Sequence, residues 1–491
     1  MEVISTPKVG FERRNVGITH PIPQALLVDE IASNYPTLQK WLCRQTYSLD
    51  EIRVSEKHVR AIRGINFALH RAKKAYIEAT SDWLVKTDIT RFYPSIYTHS
   101  ITWAAYGKEK VKGQLKLFEG SLADRLDVLV RACNRNQTVG IPIGPETSRI
   151  LAEIVSSRID DDLRHVLTGV ALESVDRLQD DWFIGMPTLE SSETVLSHVV
   201  RAYREYGLDI NGSKTSVTRV IQHLEEAWKS EIGAFLSHRS GDLKGARLRE
   251  FLALTLRLQS ENAKQAVTNY ALTVLENQAF SKADVEAMES FLLKSAIIAP
   301  GSMSRISELL INLEHDTGAV SKKRIGPRFS DLALRSLEKG DLYEALWLVF
   351  TLRGLGIAIS DEHLLSTAAV TKSSALALTL LDMKSRGLVK AKLPTADWEK
   401  QITKESVLTD WNWLLAYEGC RRGWLADPGA VMARPFFAAM NARGVFFYDE
   451  RRNVRKRTTM AKVRSALRRK FQREVREFLF SVRDVEFDSN Y

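Results

Sequence analysis

The chain has 491 residues, enough for two or three domains and a large buried core, and its 26% charged and 44% hydrophobic residues are ordinary for a soluble globular protein. Its three cysteines (Cys43, Cys133 and Cys420) are far apart and fit neither a disulfide framework nor a zinc spacing, so a reducing cytosol is expected. The net charge of +10 is local: between Arg451 and Arg476 twelve Lys or Arg face the single acid Glu474, which makes that arm +11 and leaves −1 for the rest. Such an arm suits a polyanion, because neutralising phosphates releases counterions. A solvated helix face, or a contact with an acidic patch on another subunit, is the other reading. No apolar run opens the chain, so no secretory signal is expected. The most apolar stretch, around 343–352, is too short to span a bilayer and carries Glu344, so no membrane association is expected.

In chain order, residues 25–47 and 56–80 read as helices, the second bearing Lys57, Arg60, Arg63, Arg71, Lys73 and Lys74. Trp83–Thr87 reads as a strand that delivers Asp88 at its end. Residues 146–166 are helical in pattern, with Ile150, Leu151, Ile154 and Ile159 on one side. Val175–Leu178 and residues 182–184 read as short strands joined by a tight turn at Gln179-Asp180-Asp181, while Asp160-Asp161-Asp162 reads as a solvated helix face. A helix over 192–206 and a turn at Gly207, Asn211 and Gly212 follow. From about 246 nearly every segment reads as an amphipathic helix, near 247–258, 263–276, 285–294, 303–313, 343–352, 375–383, 407–417 and 431–441. The expected organisation is α+β, with one domain over 1–245 and an all-helical one over 246–491.

Phosphoryl transfer from a nucleoside triphosphate needs little covalent chemistry from a protein. It needs two divalent ions, roughly 3.5–4 Å apart, held by two or three carboxylates on rigid elements. A strand ending in Asp beside a hairpin presenting Asp-Asp can supply them. An isolated Asp-Asp pair is weak evidence; order and context decide.

Asp88-Ile89-Thr90-Arg91-Phe92-Tyr93-Pro94-Ser95-Ile96 resembles the first catalytic motif of reverse transcriptases, an Asp followed by an aromatic five residues on. Gly140-Ile141-Pro142-Ile143-Gly144-Pro145-Glu146-Thr147-Ser148 resembles the second, a Pro-x-Gly turn opening a helix. Arg177-Leu178-Gln179-Asp180-Asp181-Trp182 resembles the third, and the stretch ending Asn211-Gly212-Ser213-Lys214-Thr215 the fourth. The run Ser95-Ile96-Tyr97-Thr98-His99-Ser100-Ile101 with Trp103 and Gly107-Lys108 is similar to the bacterial abortive-infection (Abi) reverse transcriptases, AbiK, AbiA and relatives. So is the Gly-Ile-Pro-x-Gly turn followed by Ser148-Arg149-Ile150 and Glu153, and with this length and a helical C-terminal half the chain is most like the type carried by P2-like prophages. The motifs span about residues 85–220; the C-terminal half is matched only by texture and length.

That resemblance implies reverse-transcriptase fingers and palm, followed by an all-α helical-repeat domain in place of a thumb. It implies a bacterial cytoplasmic homo-oligomer (trimer or hexamer) acting in antiviral defense by abortive infection. Such an enzyme polymerises dNTPs without a template and primes on itself, leaving single-stranded DNA covalently attached to the protein. Two Mg²⁺ ions, with Mn²⁺ as the alternative, would be the cofactors.

Under it Asp88 and Asp180 bind both metals, with Asp181 supporting them and the Ile89 carbonyl beside the ion. Tyr93 lies under the incoming sugar, where a 2′-hydroxyl would collide with its ring; a core aromatic at the strand-to-helix corner is the other reading. Pro142 and Gly144 shape the backbone against the nucleotide, since a residue without Cβ allows close approach. Lys214 donates a proton to the leaving pyrophosphate, or is a solvated loop lysine. Lys57, Arg60 and Arg63 read better as a solvated basic face than as phosphate ligands. His99 reads as a structural histidine.

Two departures from the pattern matter. Ile143 stands where many templated enzymes carry Gln, and Leu178-Gln179 replaces the usual aromatic-plus-small pair. Of the thirteen tyrosines, Tyr35, Tyr47, Tyr76 and Tyr491 are open choices for a priming hydroxyl. The rival readings are a templated RNA-directed DNA polymerase of retron or group II intron type, and a catalytically silent oligomeric nucleic-acid-binding scaffold using the arm.

Overall fold

The computed structural model describes residues 1–454 apart from 9–11, 55–60, 63, 223–226, 239–241, 405–406, 408–409 and 428–429. Lys57, Arg60, Arg63, Tyr491 and the basic arm beyond Val454 therefore lie outside the described residues. Helices and small sheets are mixed, as an α+β chain requires. Two compact units emerge. The first comprises Met1–Ile4, Asn15–Glu225 and Glu405–Trp413; the second comprises Ser5–Arg14, Glu226–Lys404 and Leu414–Tyr491. The helix Ala227–His238 packs with the helix that follows it, in the second unit.

A two-stranded sheet of β1 (Glu2–Pro7) and β2 (Arg13–Ile18) opens the chain. Helices α1 (Pro21–Ser33) and α2 (Tyr35–Leu42) replace the single helix expected over 25–47, parted at Asn34 just before Tyr35-Pro36. Next come α3 (Phe67–Thr80), whose start is capped by Asn66 accepting from the Leu69 amide, and β3 (Trp83–Thr87). Short helices α4 (Phe92–Ser95), α5 (Ser100–Tyr106), α6 (Lys108–Gly113) and α7 (Leu115–Phe118) precede α8 (Leu122–Cys133) and the long α9 (Glu146–Arg164). Then β4 (Val175–Leu178), β5 (Asp181–Met186), α10 (Leu189–Glu205) and β6 (Ser216–Arg219) complete the unit's main elements.

The central sheet has the order β4-β5-β3-β6 with antiparallel neighbours. Strand alternation gives it two apolar faces. Val85, Trp182 and Ile184 belong to the main core with residues of α9 and α10 such as Ile154 and Val199. Leu84 and Phe183 point the other way, onto Ile77 of α3. That packing is close enough to demand a glycine: a Cβ on Gly185 would sit 2.1 Å from the Ser81 hydroxyl oxygen and 2.6 Å from a methyl of Ile77.

In the second unit the helices are α11 (Ala227–His238), α12 (Gly245–Glu261), α13 (Val267–Glu276), α14 (Val285–Ile298), α15 (Met303–Thr317), α16 (Lys322–Lys339) and α17 (Leu342–Leu355). They continue as α18 (Glu362–Val370), α19 (Ser374–Ser385), α20 (Ala396–Ile402), α21 (Trp413–Arg421) and α22 (Pro435–Ala442). Helix α16 is absent from the sequence expectations, and Pro327 sits inside it. Among the described residues, no helix is long and apolar enough to cross a membrane.

Candidate functional site

Asp88 closes β3, and both neighbouring ladders determine what it meets. Trp83 pairs with Met186 and Thr87 with Trp182, so the same register sets Asp88 level with Asp181. On the other side Trp83 pairs with Arg219 and Lys86 with Ser216, which sets Asp88 level with Lys214. Side chains follow the register: the hydroxyls of Thr87 and Thr215 are 2.8 Å apart, and Lys214 Nζ donates to Asp88 Oδ2 at 2.6 Å. The Asn211 amide donates to the Asp88 carbonyl at 2.6 Å, and Asn211 Oδ1 accepts from the backbone and hydroxyl of Ser213, so the turn carrying Lys214 is fixed to the strand carrying Asp88. Ile89, buried at 1% exposure, bridges Ile210 in the same seam.

The hairpin between β4 and β5 is a two-residue turn. Leu178 pairs with Asp181, so Gln179 and Asp180 form its tip. Gln179 has φ +57°, a conformation that costs a non-glycine residue about 1–2 kcal/mol. Arg177 stabilises it from below, its Nη1 donating to the Gln179 carbonyl at 2.8 Å. The guanidinium is fully buried and donates to Asp160 through Nε and Nη2, both at 2.8 Å, and to Glu153 through Nη2 at 2.7 Å. Asp160 Oδ2 also accepts from the Thr46 and Tyr47 amides. The reading of Asp160-Asp161-Asp162 as a solvated face is thus corrected at its first member: Asp160 faces the core because Arg177 waits there. Asp161 and Asp162 pair with Arg164 and Arg158 near the surface.

Asp180 precedes Asp181 at the hairpin tip, and its carboxyl is pushed up to about 8, first by burial and then by the charges of Asp181 and Asp88. Lys214 is held above its ordinary value by its bond to Asp88. Asp88, Ile89, Asp180, Asp181 and Lys214 are therefore gathered at one end of β3. Carboxylates and a backbone carbonyl are hard oxygen donors of the kind Mg²⁺ and Mn²⁺ accept, and the mutual repulsion that raises Asp180 is what a divalent cation would relieve. The donor set fits such an ion, although among the described residues no three His, Cys, Asp or Glu side chains already close around one point.

The other expected residues lie on two segments that hydrogen-bond to each other. The Ile141 amide donates to the Tyr93 carbonyl at 3.0 Å, and the Gly140 amide to the Ile96 carbonyl at 2.8 Å. Tyr93 is half-buried against Phe92, with ring centroids 5.4 Å apart. Pro142 is buried and Gly144 exposed, the latter at φ +130°. The close backbone approach lies at Gly140, which sequence reasoning gave no role: a Cβ there would sit 3.1 Å from the Pro94 carbonyl oxygen. The Ile143 carbonyl accepts from the Gly17 amide of β2 at 3.0 Å. His99 is structural, its Nδ1 bonded to buried Asp127.

Among the described tyrosines considered for priming, Tyr47 is sealed against Trp182 (5.5 Å between centroids), whereas Tyr76 is 52% exposed. No protein-family profile matches this chain, and no curated protein matches it in sequence.

Proposed function

We propose that this chain is an antiphage abortive-infection reverse transcriptase, a nucleotidyltransferase that polymerises dNTPs into DNA without a template and primes on its own side chain. The observation that carries the reading is the meeting of strand-borne Asp88 with hairpin-borne Asp180 beside Asp181, with Lys214 bonded to Asp88 from the opposite strand. Surface carboxylates on unrelated turns would have no reason to converge at one end of a four-stranded sheet. In this reading the first unit is the fingers and palm, and the helices after Glu226 take the place of a thumb.

Asp88 and Asp180 would hold two Mg²⁺ ions, with Asp181 and the Ile89 carbonyl beside them. When bound, the ions would activate the attacking oxygen and neutralise charge on the leaving pyrophosphate. The protein's own part is placement. Arg177 fixes the turn that presents Asp180. Lys214 stores a proton at Nζ within reach of the site. Tyr93 stands where a ribose 2′-hydroxyl would meet a ring. Ile143, apolar and engaged through its carbonyl by Gly17, offers no side-chain hydrogen bond to a template strand, in keeping with untemplated synthesis.

The test is incubation of purified protein with Mg²⁺ and labelled dNTPs, without template or primer, followed by a denaturing gel. Label that migrates with the protein and collapses after nuclease is the expected result. Incorporation only after adding RNA template and primer would give a templated enzyme instead. No product under either condition would leave a nucleic-acid-binding scaffold.

A further inference from the structure

The most apolar stretch of the sequence, now α17, has a second use. Tyr343, Trp347 and Phe350 fall at i, i+4 and i+7, so they share one stripe of the helix. Their rings meet edge to face, Tyr343–Trp347 at 6.2 Å and Trp347–Phe350 at 5.4 Å. Ala345, Leu348, Val349 and Leu352 are buried on the remaining surface. Trp347 and Phe350 instead line a cleft of about 400 Å³, whose facing wall includes Phe447, Tyr448, Asp449 and Arg452. That volume falls in the roughly 300–1,000 Å³ range of small-ligand sites.

The wall is built rather than draped. Asp382, 1% exposed, accepts from the Tyr448 hydroxyl at 2.8 Å and from Arg386 Nε at 2.6 Å, and it also pairs with Arg353. Arg353 in turn donates to the Glu450 carbonyl at 2.6 Å and the Arg452 carbonyl at 3.3 Å. A buried polar hub therefore holds residues 448–452 against α17.

The lining is balanced in charge: Glu308 and Asp449 offset Arg353 and Arg452, and Arg353 is already committed to Asp382. Exposed Arg451 adjoins Arg452, and the sequence from Arg451 through Arg476 carries +11. A balanced aromatic slot suits a base, and the cations beside it suit the attached phosphates.

We infer that this cleft is a stacking platform for a base of single-stranded nucleic acid, whose phosphates meet Arg451 and Arg452. Flat aromatic faces accept any base, while the carboxylates of Glu308 and Asp449 can accept from exocyclic amino groups. The inference needs no polymerase activity and is tested without divalent ions or dNTPs, so its failure and that of the enzymatic reading are separate results.

The experiment is fluorescence anisotropy on the full-length protein in chelator. The probes are a labelled oligodeoxycytidylate, an abasic strand of equal length and the matching duplex. The oligonucleotide is expected to bind tighter than both controls. Trp347→Ala and Phe447→Ala should each weaken it roughly 5- to 100-fold without changing affinity for the abasic strand. The Arg451→Ala/Arg452→Ala variant should lower the salt slope by about 2. Phe447 is 43% exposed and touches the core edge-on at Tyr417, 5.8 Å between centroids, so its truncation costs less stability than that of Trp347 and keeps the test valid if Trp347→Ala fails to fold. Equal binding of the abasic strand or the duplex would overturn the inference, giving recognition to the arm alone. Wild-type affinity in a folded Phe447→Ala would overturn it too.

Discussion

Lys214 Nζ reaches Asp88 Oδ2 at 2.6 Å across the β3–β6 seam, so the acid at the heart of the site already has a cationic partner. A metal ion arriving at Asp88 must compete with that bond. Lys214→Met is expected to lower the Mg²⁺ concentration needed for half-maximal incorporation while cutting turnover about a hundredfold, the usual cost of losing a positioned proton donor. Titrating Mg²⁺ against incorporation for both proteins checks this. Unchanged turnover would return Lys214 to the role of a solvated loop residue.

Removing a carboxylate should separate activity from stability. Asp88→Asn, Asp180→Asn and Asp181→Asn are each expected to abolish incorporation and leave the fold intact. Asp180 makes a sharper case because its carboxyl is pushed up to about 8. A raised carboxyl binds its proton more tightly when folded. It therefore supports the fold at pH below its unfolded value of about 4 and loses that support as pH rises toward 8. In chelator at pH 8, Asp180→Asn should melt higher than wild type, with the gap closing near pH 4. Equal melting at both pH values would mean that the acids do not repel in solution.

Arg177 carries a structural load under the turn. Truncating it to Ala leaves Asp160 and Glu153 buried without their cation, which costs about 3–5 kcal/mol. Urea unfolding followed by circular dichroism gives the number. A loss below about 1 kcal/mol would show that water reaches the pair and that the hairpin does not depend on it.

His70 offers a pH test away from the Asp88–Asp181 cluster. Its Nδ1 is bonded to Asp176 at 2.8 Å and its Nε2 lies 3.6 Å from Asp50, and these two carboxylates, Asp176 first, push it up to about 9. A histidine with a raised value stabilises fully below its unfolded value of about 6.5 and loses that contribution as pH climbs through 9. His70→Gln should therefore lower the melting temperature most at pH 6 and least near pH 10. A penalty independent of pH would mean that His70 acts by packing alone.

Tyr93→Val is expected to admit ribonucleotides, raising the ratio of rNTP to dNTP incorporation roughly tenfold or more by opening space at the sugar. An unchanged ratio would make Tyr93 a core aromatic against Phe92.

Much of the site was legible because its signals are local. Trp83–Thr87 declares itself by its β-favouring Trp-Leu-Val run, and the paired acids by sitting at a tight turn between two short strand-like segments. What the sequence hid depends on distant partners. Nothing near Asp160 distinguishes it from Asp161, since its burial is decided by Arg177 in another element. Strand β6, with the polar sequence Ser-Val-Thr-Arg, exists because β3 offers it an edge. The close approach at Gly140 is invisible until Pro94 is placed beside it.

The antiparallel ladder that sets Asp88 level with Asp181 also separates two kinds of length change. The turns between the helices that link β3 to β4 can gain residues at little cost, since loop entropy grows only logarithmically. Within β3 or β5 no such freedom exists. A one-residue slip moves a strand by about 3.3 Å and turns its inward side chains outward, separating the acids and burying Lys86 in the main core together. Insertions in this chain should therefore gather in the connection between the two acid-bearing strands, while the strands themselves keep a fixed count.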